Sequence, residues 1–168
     1  NSLYALHEAL VILKEEGIRL QHLVQTILDV SRLEAGRPKL NLGPVALEPL
    51  LSRVVGVARA AEPRRPITLE VQRGVPPAWA DEIYVAEVIR NILTNATKYS
   101  PQGSPVEVAV LLDGDALLVS VTDHGPGIPA EQQERIFRAF QRTETGERKD
   151  ASGLGLGLYF ACKLVEAQ

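Results

Sequence analysis

The chain has 168 residues, of which 45% are hydrophobic and 23% charged, with a formal net charge of -3. That length suits one ordinary domain with an appendage and a buried core, and the acidic balance argues against a nucleic-acid binder. Cys162 is the sole cysteine, which excludes an intrachain disulfide or a cysteine-ligated metal site and implies a reducing, cytoplasmic setting. Charges interrupt every apolar run well before the roughly 18 residues of a membrane span. The N-terminal third reads as one long helix, because Leu3, Leu6, Leu10, Leu13, Gly17, Leu20, Val24 and Ile27 alternate spacings of three and four. Ile18, Leu23, Leu28 and Leu33 widen that stripe to the breadth of a helical bundle. Such a helix either packs on its own domain or dimerises, and the length of its seam favours the second.

Gly36, Pro38, Gly43, Pro44 and Pro49 then break the pattern, placing a domain boundary near residue 40 and dividing the chain into 1–40 and 41–168. Leu47 to Ala61 is predicted as a helix, with Pro49 tolerated in its first turn. Ile67, Leu69 and Val71 alternate as a strand, and Trp79 falls in a short strand before Asp81, a candidate N-cap for the next helix. Residues 106–112 and 116–122 form two apolar runs joined by Asp113-Gly114, a hairpin signal. The order helix, strand, helix, hairpin, helix predicts an α+β fold with helices on one face of a mixed sheet.

Three segments carry polar chemistry. In VAEVIRNILTNATKYS, Asn91, Asn95 and Lys98 fall within about 60° of a helical wheel, while Val85, Ile89, Ile92 and Ala96 point elsewhere. An asparagine oxygen can hold a hard cation without adding charge, and a lysine can meet phosphate oxygens. A solvated helix face would read the same way. Asp123 stands where a strand gives way to glycines; its carboxylate can accept from an exocyclic amino group, and Gly125 and Gly127 let backbone approach a flat ring. A plain turn is the alternative there. Gly153, Gly155 and Gly157 precede the helix LYFACKLV, whose N-terminal amides suit phosphates, although no Walker lysine follows. Between the glycine loops, a polar stretch with Arg142, Glu144, Gly146 and Arg148 reads either as a lid, with Arg142 a candidate phosphate contact, or as a plain solvated loop.

With these residues in view, NILTNATKYS resembles the N box, DHGPGI the G1 box, IFRAF the F box and GLGLGL the G2 box of bacterial sensor histidine kinases. LDVSRLEAG resembles the end of the second helix of their dimerisation and phosphotransfer domain. The resemblance implies a Bergerat-type two-layer sandwich with a mixed sheet, preceded by a coiled-coil or bundle helix that forms a homodimer. This is the fold of gyrase B subunits, mismatch-repair ATPases and ninety-kilodalton heat-shock chaperones.

The resemblance further implies that Asn95 coordinates Mg²⁺, that Asn91 and Lys98 contact the phosphates of ATP, that Tyr99 lies against the adenine and that Asp123 binds its amino group. Asn91, Lys98 and Arg142 would serve the transfer step. Gly125, Gly127, Ile128, Gly153, Leu154, Gly155, Leu156 and Gly157 would line the nucleotide, and Phe137 and Phe140 would anchor the lid. Hydrolysing relatives of this fold carry a general-base glutamate at the position of Asn91, so the resemblance points to phosphoryl transfer to a histidine and onward to a response regulator, with little hydrolysis.

A catalytically silent nucleotide-sensing or dimerisation module is the alternative. A serine kinase that inhibits a sigma factor is a third reading, disfavoured by the seam and by Asn91. The sequence departs from the family in lacking a His-Glu-Leu-Arg-Thr-Pro box, so His7 and His22 receive no phosphoacceptor role. It also ends at Gln168, where the family continues with two more strands, and carries Leu154 where the family often has a small or hydroxyl residue.

Overall fold

A computed structural model of the chain describes residues 2–34, 40–141 and 155–168. The chain divides into two compact units, Asn1–Pro38 and Lys39–Gln168. In the first, one helix, α1, spans Ser2–Glu34. Leu6, Leu10, Leu13, Leu20, Val24 and Ile27 along its apolar stripe are all exposed in the single chain. No helix among the described residues is long and apolar enough to cross a membrane.

The second unit runs β1 (Gly43–Val45), α2 (Leu47–Ala61), β2 (Ile67–Val71), β3 (Ala78–Ala80), α3 (Glu82–Tyr99), β4 (Val106–Asp113), β5 (Ala116–Thr122), α4 (Ala130–Gln133), a 3-10 turn (Arg135–Phe137) and α5 (Gly157–Glu166). This is an α+β fold, as the element order predicts. β1 pairs antiparallel with β3, Pro44 opposite Trp79. The main sheet has the order β2-β4-β5 and is mixed: β2 and β4 are parallel with Ile67 opposite Val106, whereas β4 and β5 are antiparallel. A parallel pair cannot be closed by a tight turn, so the chain must cross over between β2 and β4, and the crossover contains α3.

Burial follows the period of each element. Along β4, Val106, Val108 and Val110 are fully buried while Glu107 faces out. These valines meet Leu50, Leu51 and Val55 from α2 and Ile89, Leu93 and Ala96 from α3 in one core. Burying side chains of this size contributes about 1.5–3 kcal/mol each. On α3 the buried residues are Val88, Ile89, Leu93 and Ala96, with Val85 and Ile92 only half-buried. The buried arc thus keeps nearly the direction expected on a helical wheel but is wider, taking in Val88 and Leu93, because α3 packs against α2 and α5 as well as the sheet. Trp79, in the predicted short strand, is 70% exposed.

The hairpin differs from expectation by one residue. Asp113 pairs with Ala116, so the two-residue loop is Gly114-Asp115. Gly114 takes a φ of 60° at the first central position, the requirement of a type II′ turn.

Both ends of α3 are fastened by buried charged side chains. At the start, Asp81 is 4% exposed and caps the helix, its Oδ1 accepting from the Ile83 and Tyr84 amides at 3.0 and 3.3 Å. Its Oδ2 accepts from the Asn41 amide at 2.8 Å, and its own N–H donates to Gln168 Oε1 at 2.7 Å. At the other end, Arg65 is 7% exposed. Its guanidinium donates to the carbonyl of Thr97 at 3.0 Å, of Pro101 at 3.1 Å and of Ser104 at 2.9 Å. A cation against the C-terminal carbonyls of a helix also complements the macrodipole.

Asp81→Ala removes a cap and strands the Asn41 amide, so it should lower stability by about 2 kcal/mol, read as a lower urea midpoint at unchanged slope. An unmoved midpoint would refute the double role of this carboxylate. Arg65→Met leaves several buried acceptors without a donor and should cost roughly 3 kcal/mol, with faster hydrogen exchange at the last turn of α3. Protection there equal to that of the native chain would show that the guanidinium is not what holds that turn.

Candidate functional site

The polar arc of α3 comes first. Asn91, Asn95, Lys98 and Tyr99 are each half-buried. Asn91 Nδ2 donates to the Glu87 carbonyl at 3.0 Å and to Glu87 Oε1 at 3.3 Å. With the nitrogen engaged on its own helix, the amide oxygen meets α5: a β-carbon on Gly157, the first residue of that helix, would stand 3.0 Å from Asn91 Oδ1. Lys98 Nζ lies 5.6 Å from the centre of the Tyr99 ring.

The C-terminal end of α3 meets the loop that leaves β5. Ser100 is buried, and its hydroxyl donates to Asp123 Oδ1 at 3.3 Å and accepts from the His124 amide at 3.3 Å. The Gly125 amide donates to the same carboxylate oxygen at 2.6 Å. A β-carbon on Gly125 would lie 2.8 Å from Asp123 Oδ1 and 3.3 Å from the Tyr99 carbonyl oxygen. The side chain of Asp123 is otherwise exposed. Gly127 and Ile128 follow in the same loop and are also exposed.

The third joint is between residues 140–141 and the start of α5. Phe140 N–H donates to the Gly155 carbonyl at 3.2 Å, and Phe140 holds a φ of 61°, a left-handed conformation unusual for an aromatic residue. Gly155 has a φ of 69°, and a β-carbon there would stand 2.4 Å from the Gln141 carbonyl oxygen. Only glycine satisfies both conditions. The Phe140 ring is 67% exposed and that of Phe137 is also largely exposed. Leu156 is buried at the foot of α5, whose N-terminus has no side-chain cap and no acidic residue in its first turn. Its first amides therefore lack intrahelical partners. Arg142, Gly153 and Leu154 lie outside the described residues.

Around α3 the structure thus gathers Asn91 with Gly157, and Tyr99 and Ser100 with Asp123 and Gly125. Among the described residues there is no group of three His, Cys, Asp or Glu side chains that could hold a metal ion. Cys162, on α5, donates to Glu166 Oε1 at 3.4 Å, and burial together with that carboxylate pushes its thiol pKa up, which makes it a poor nucleophile. A cavity of about 950 Å³ opens between α2 and α3, lined by Val54, Val57, Ala58, Ile83 and Ala86 among others, and by none of the residues expected to meet the nucleotide.

Two residues that shape the site carry no sequence signal of it. Ser100 stands inside the asparagine-bearing segment with a side chain too small to suggest a role, and Arg65 reads as one of two adjacent basic residues in PRRP.

Residues 80–168 match the family described as histidine kinase-, DNA gyrase B-, and HSP90-like ATPases. The chain is 33% identical over 164 residues to the circadian input-output histidine kinase CikA of Synechococcus elongatus, covering 95% of this chain and 22% of CikA. It is 34% identical over 153 residues to the alginate biosynthesis sensor protein KinB of Pseudomonas aeruginosa, covering 90% of this chain and 25% of KinB. The crystal structure of full-length ShkA in complex with AMPPNP superposes with a TM-score of 0.74 at 32% identity, over 94% of this chain and 33% of that one. The chain spans a quarter or less of the length of these curated relatives. By the extent of the family match and the shared fold, the chain belongs to the family of histidine kinase-, DNA gyrase B- and HSP90-like ATPases.

Proposed function

We propose that this chain is the nucleotide-binding catalytic module of a cytoplasmic protein-histidine kinase in two-component signalling, binding ATP with Mg²⁺ beside α3. The observation that carries the reading is the convergence on one helix. The Asn91 amide oxygen meets the first residue of α5, and the Asp123 carboxylate is tied to the last residues of α3. Phosphates would lie at the uncapped N-terminus of α5, where Gly155, Leu156 and Gly157 offer backbone amides, and the family resemblance would add Gly153 and Leu154. Asn91 and Lys98 would meet those phosphates from α3, and Arg142 from the intervening segment.

The base would lie between Tyr99 and the loop of Gly125, Gly127 and Ile128, with its amino group on Asp123, and Phe137 and Phe140 would anchor a lid as the family resemblance implies. The donor set also suits the metal: an amide oxygen from Asn95, supplemented by phosphate oxygens, gives Mg²⁺ the hard ligands it takes without a cage of protein carboxylates. Bound there, the ion would neutralise charge developing on the β- and γ-phosphates.

In the transfer step, a histidine ring nitrogen attacks the γ-phosphorus, the bond to the β,γ-bridging oxygen breaks, and ADP leaves. Asn91 cannot serve as a base for water, because an amide accepts no proton near neutral pH. The chain's own groups therefore hold the triphosphate in line and leave activation to the incoming imidazole. Homodimerisation through α1 is supported by its exposed apolar stripe, and a response-regulator aspartate would receive the phosphoryl group from the histidine.

Two measurements test this. Titration calorimetry with a non-hydrolysable ATP analogue should show binding that strengthens with Mg²⁺, and Asn95→Ala should lose at least tenfold of that metal-dependent affinity while keeping the native far-UV spectrum. Metal-dependent affinity retained in the variant would remove Asn95 from the site. When a separate histidine-bearing dimerisation fragment is supplied with ATP, label should appear on the histidine, with steady ATP turnover by the chain alone remaining negligible. Fast turnover without the fragment, or binding with no transfer to it, would overturn the kinase reading.

A further inference from the structure

We infer that Ser100 is a positioning residue for recognition of the nucleotide base. Its hydroxyl holds the Asp123 carboxylate so that one oxygen is engaged within the protein and the other is presented to an exocyclic amino group. The inference rests on the proposed site, in which Asp123 meets the adenine.

Asp123 stands on an exposed loop, where an aspartate ordinarily samples several χ1 wells. Here both of its hydrogen bonds fall on one oxygen: Oδ1 accepts from Ser100 Oγ at 3.3 Å and from the Gly125 amide at 2.6 Å. The approach of Gly125 is close enough that a β-carbon there would come within 2.8 Å of the same oxygen. Oδ1 is therefore boxed between the hydroxyl and the glycine, and Oδ2 remains as the acceptor for a ligand. An ionised carboxylate accepts only, so it favours a base carrying an amino group at that point and disfavours one without it.

Ser100 is itself held from several sides. It is 6% exposed, and its amide closes α3 on the Ala96 carbonyl at 3.2 Å. Its hydroxyl accepts from the His124 amide, which ties the loop to the helix end a second time. On either side of it in sequence, Arg65 grips the carbonyls of Thr97 and Pro101. The guanidinium fixes the stretch, the stretch fixes the hydroxyl, and the hydroxyl fixes the carboxylate. Loss of the hydroxyl alone leaves Asp123 with the Gly125 amide only and the His124 amide without its acceptor.

The test compares ADP with purine riboside 5′-diphosphate, which differs by the missing 6-amino group, as ligands of the native chain and of Ser100→Ala, Ser100→Thr and Asp123→Ala. The native chain should prefer ADP by about tenfold or more, and Asp123→Ala should erase that preference. Ser100→Ala should cut the preference by about fivefold, through weaker ADP binding with the affinity for the amino-free analogue kept within about twofold. Ser100→Thr, which keeps the hydroxyl, should restore it. Because preference is a ratio taken within one variant, a uniform loss of folded protein leaves it unchanged.

Ser100→Ala weakening both ligands equally, or keeping the full preference while Asp123→Ala loses it, would overturn the role of Ser100 and leave that of Asp123 standing. No preference in the native chain would instead sink the placement of Asp123 against the base, and the inference with it.

Discussion

Two of the three joints of the candidate site are made on α3, and α3 is held by two buried side chains of opposite charge, one at each end. Asp81 satisfies the first amides and Arg65 the last carbonyls, each where the macrodipole favours its sign. Neither acts on the helix alone. Asp81 also joins the Asn41 amide and the Gln168 side chain, and Arg65 reaches past the helix to the turn at Pro101 and Ser104. The crossover that a parallel β2–β4 pair demands thereby becomes a rod with fixed termini. The amides along its polar arc inherit that placement.

This arrangement explains why the glycines near the site are close to the protein's own groups. Gly125 abuts the Asp123 carboxylate, Gly157 abuts the Asn91 amide, and Gly155 passes the Gln141 carbonyl at a distance no side chain allows. A helix anchored at both ends leaves little room at Asn91 and Tyr99, so Gly157 and Gly125, which approach it, are bare; Gly155 is bare for the separate reason that it passes Gln141. The left-handed turn at Phe140, whose amide bonds the Gly155 carbonyl, belongs to this second close approach, and such a conformation ordinarily costs on the order of 1–3 kcal/mol.

Much of this was legible in the sequence where local rules decide the outcome. The α2 helix from Leu47 to Ala61, the Asp81 cap and the paired strands of the hairpin each follow from propensity, capping and alternation within a short window. The hairpin loop moved by one residue because Gly-Asp and Asp-Gly satisfy different primed turns, and both are present in Asp113-Gly114-Asp115. The buried arc of α3 is wider than its apolar stripe for a different reason. A helical wheel finds one apolar direction, whereas α3 has neighbours on several sides. Arg65 and Ser100 were illegible because they act through backbone carbonyls, a carboxylate and an amide brought near by tertiary structure, and backbone partners leave no mark in a residue pattern. The asparagine arc and the glycine loops were visible as a set, and that set is what the resemblance to histidine kinases rests on.

Trp79 has a consequence of its own for how this molecule reports on itself. It is the chain's one tryptophan and is already 70% exposed in the folded state, on a strand paired only with β1 and two residues before the Asp81 cap. Its indole therefore senses solvent at the rim of the fold rather than the valine-rich interior. An indole already in water in the folded state should therefore change its emission less on unfolding than a tryptophan buried among those valines would.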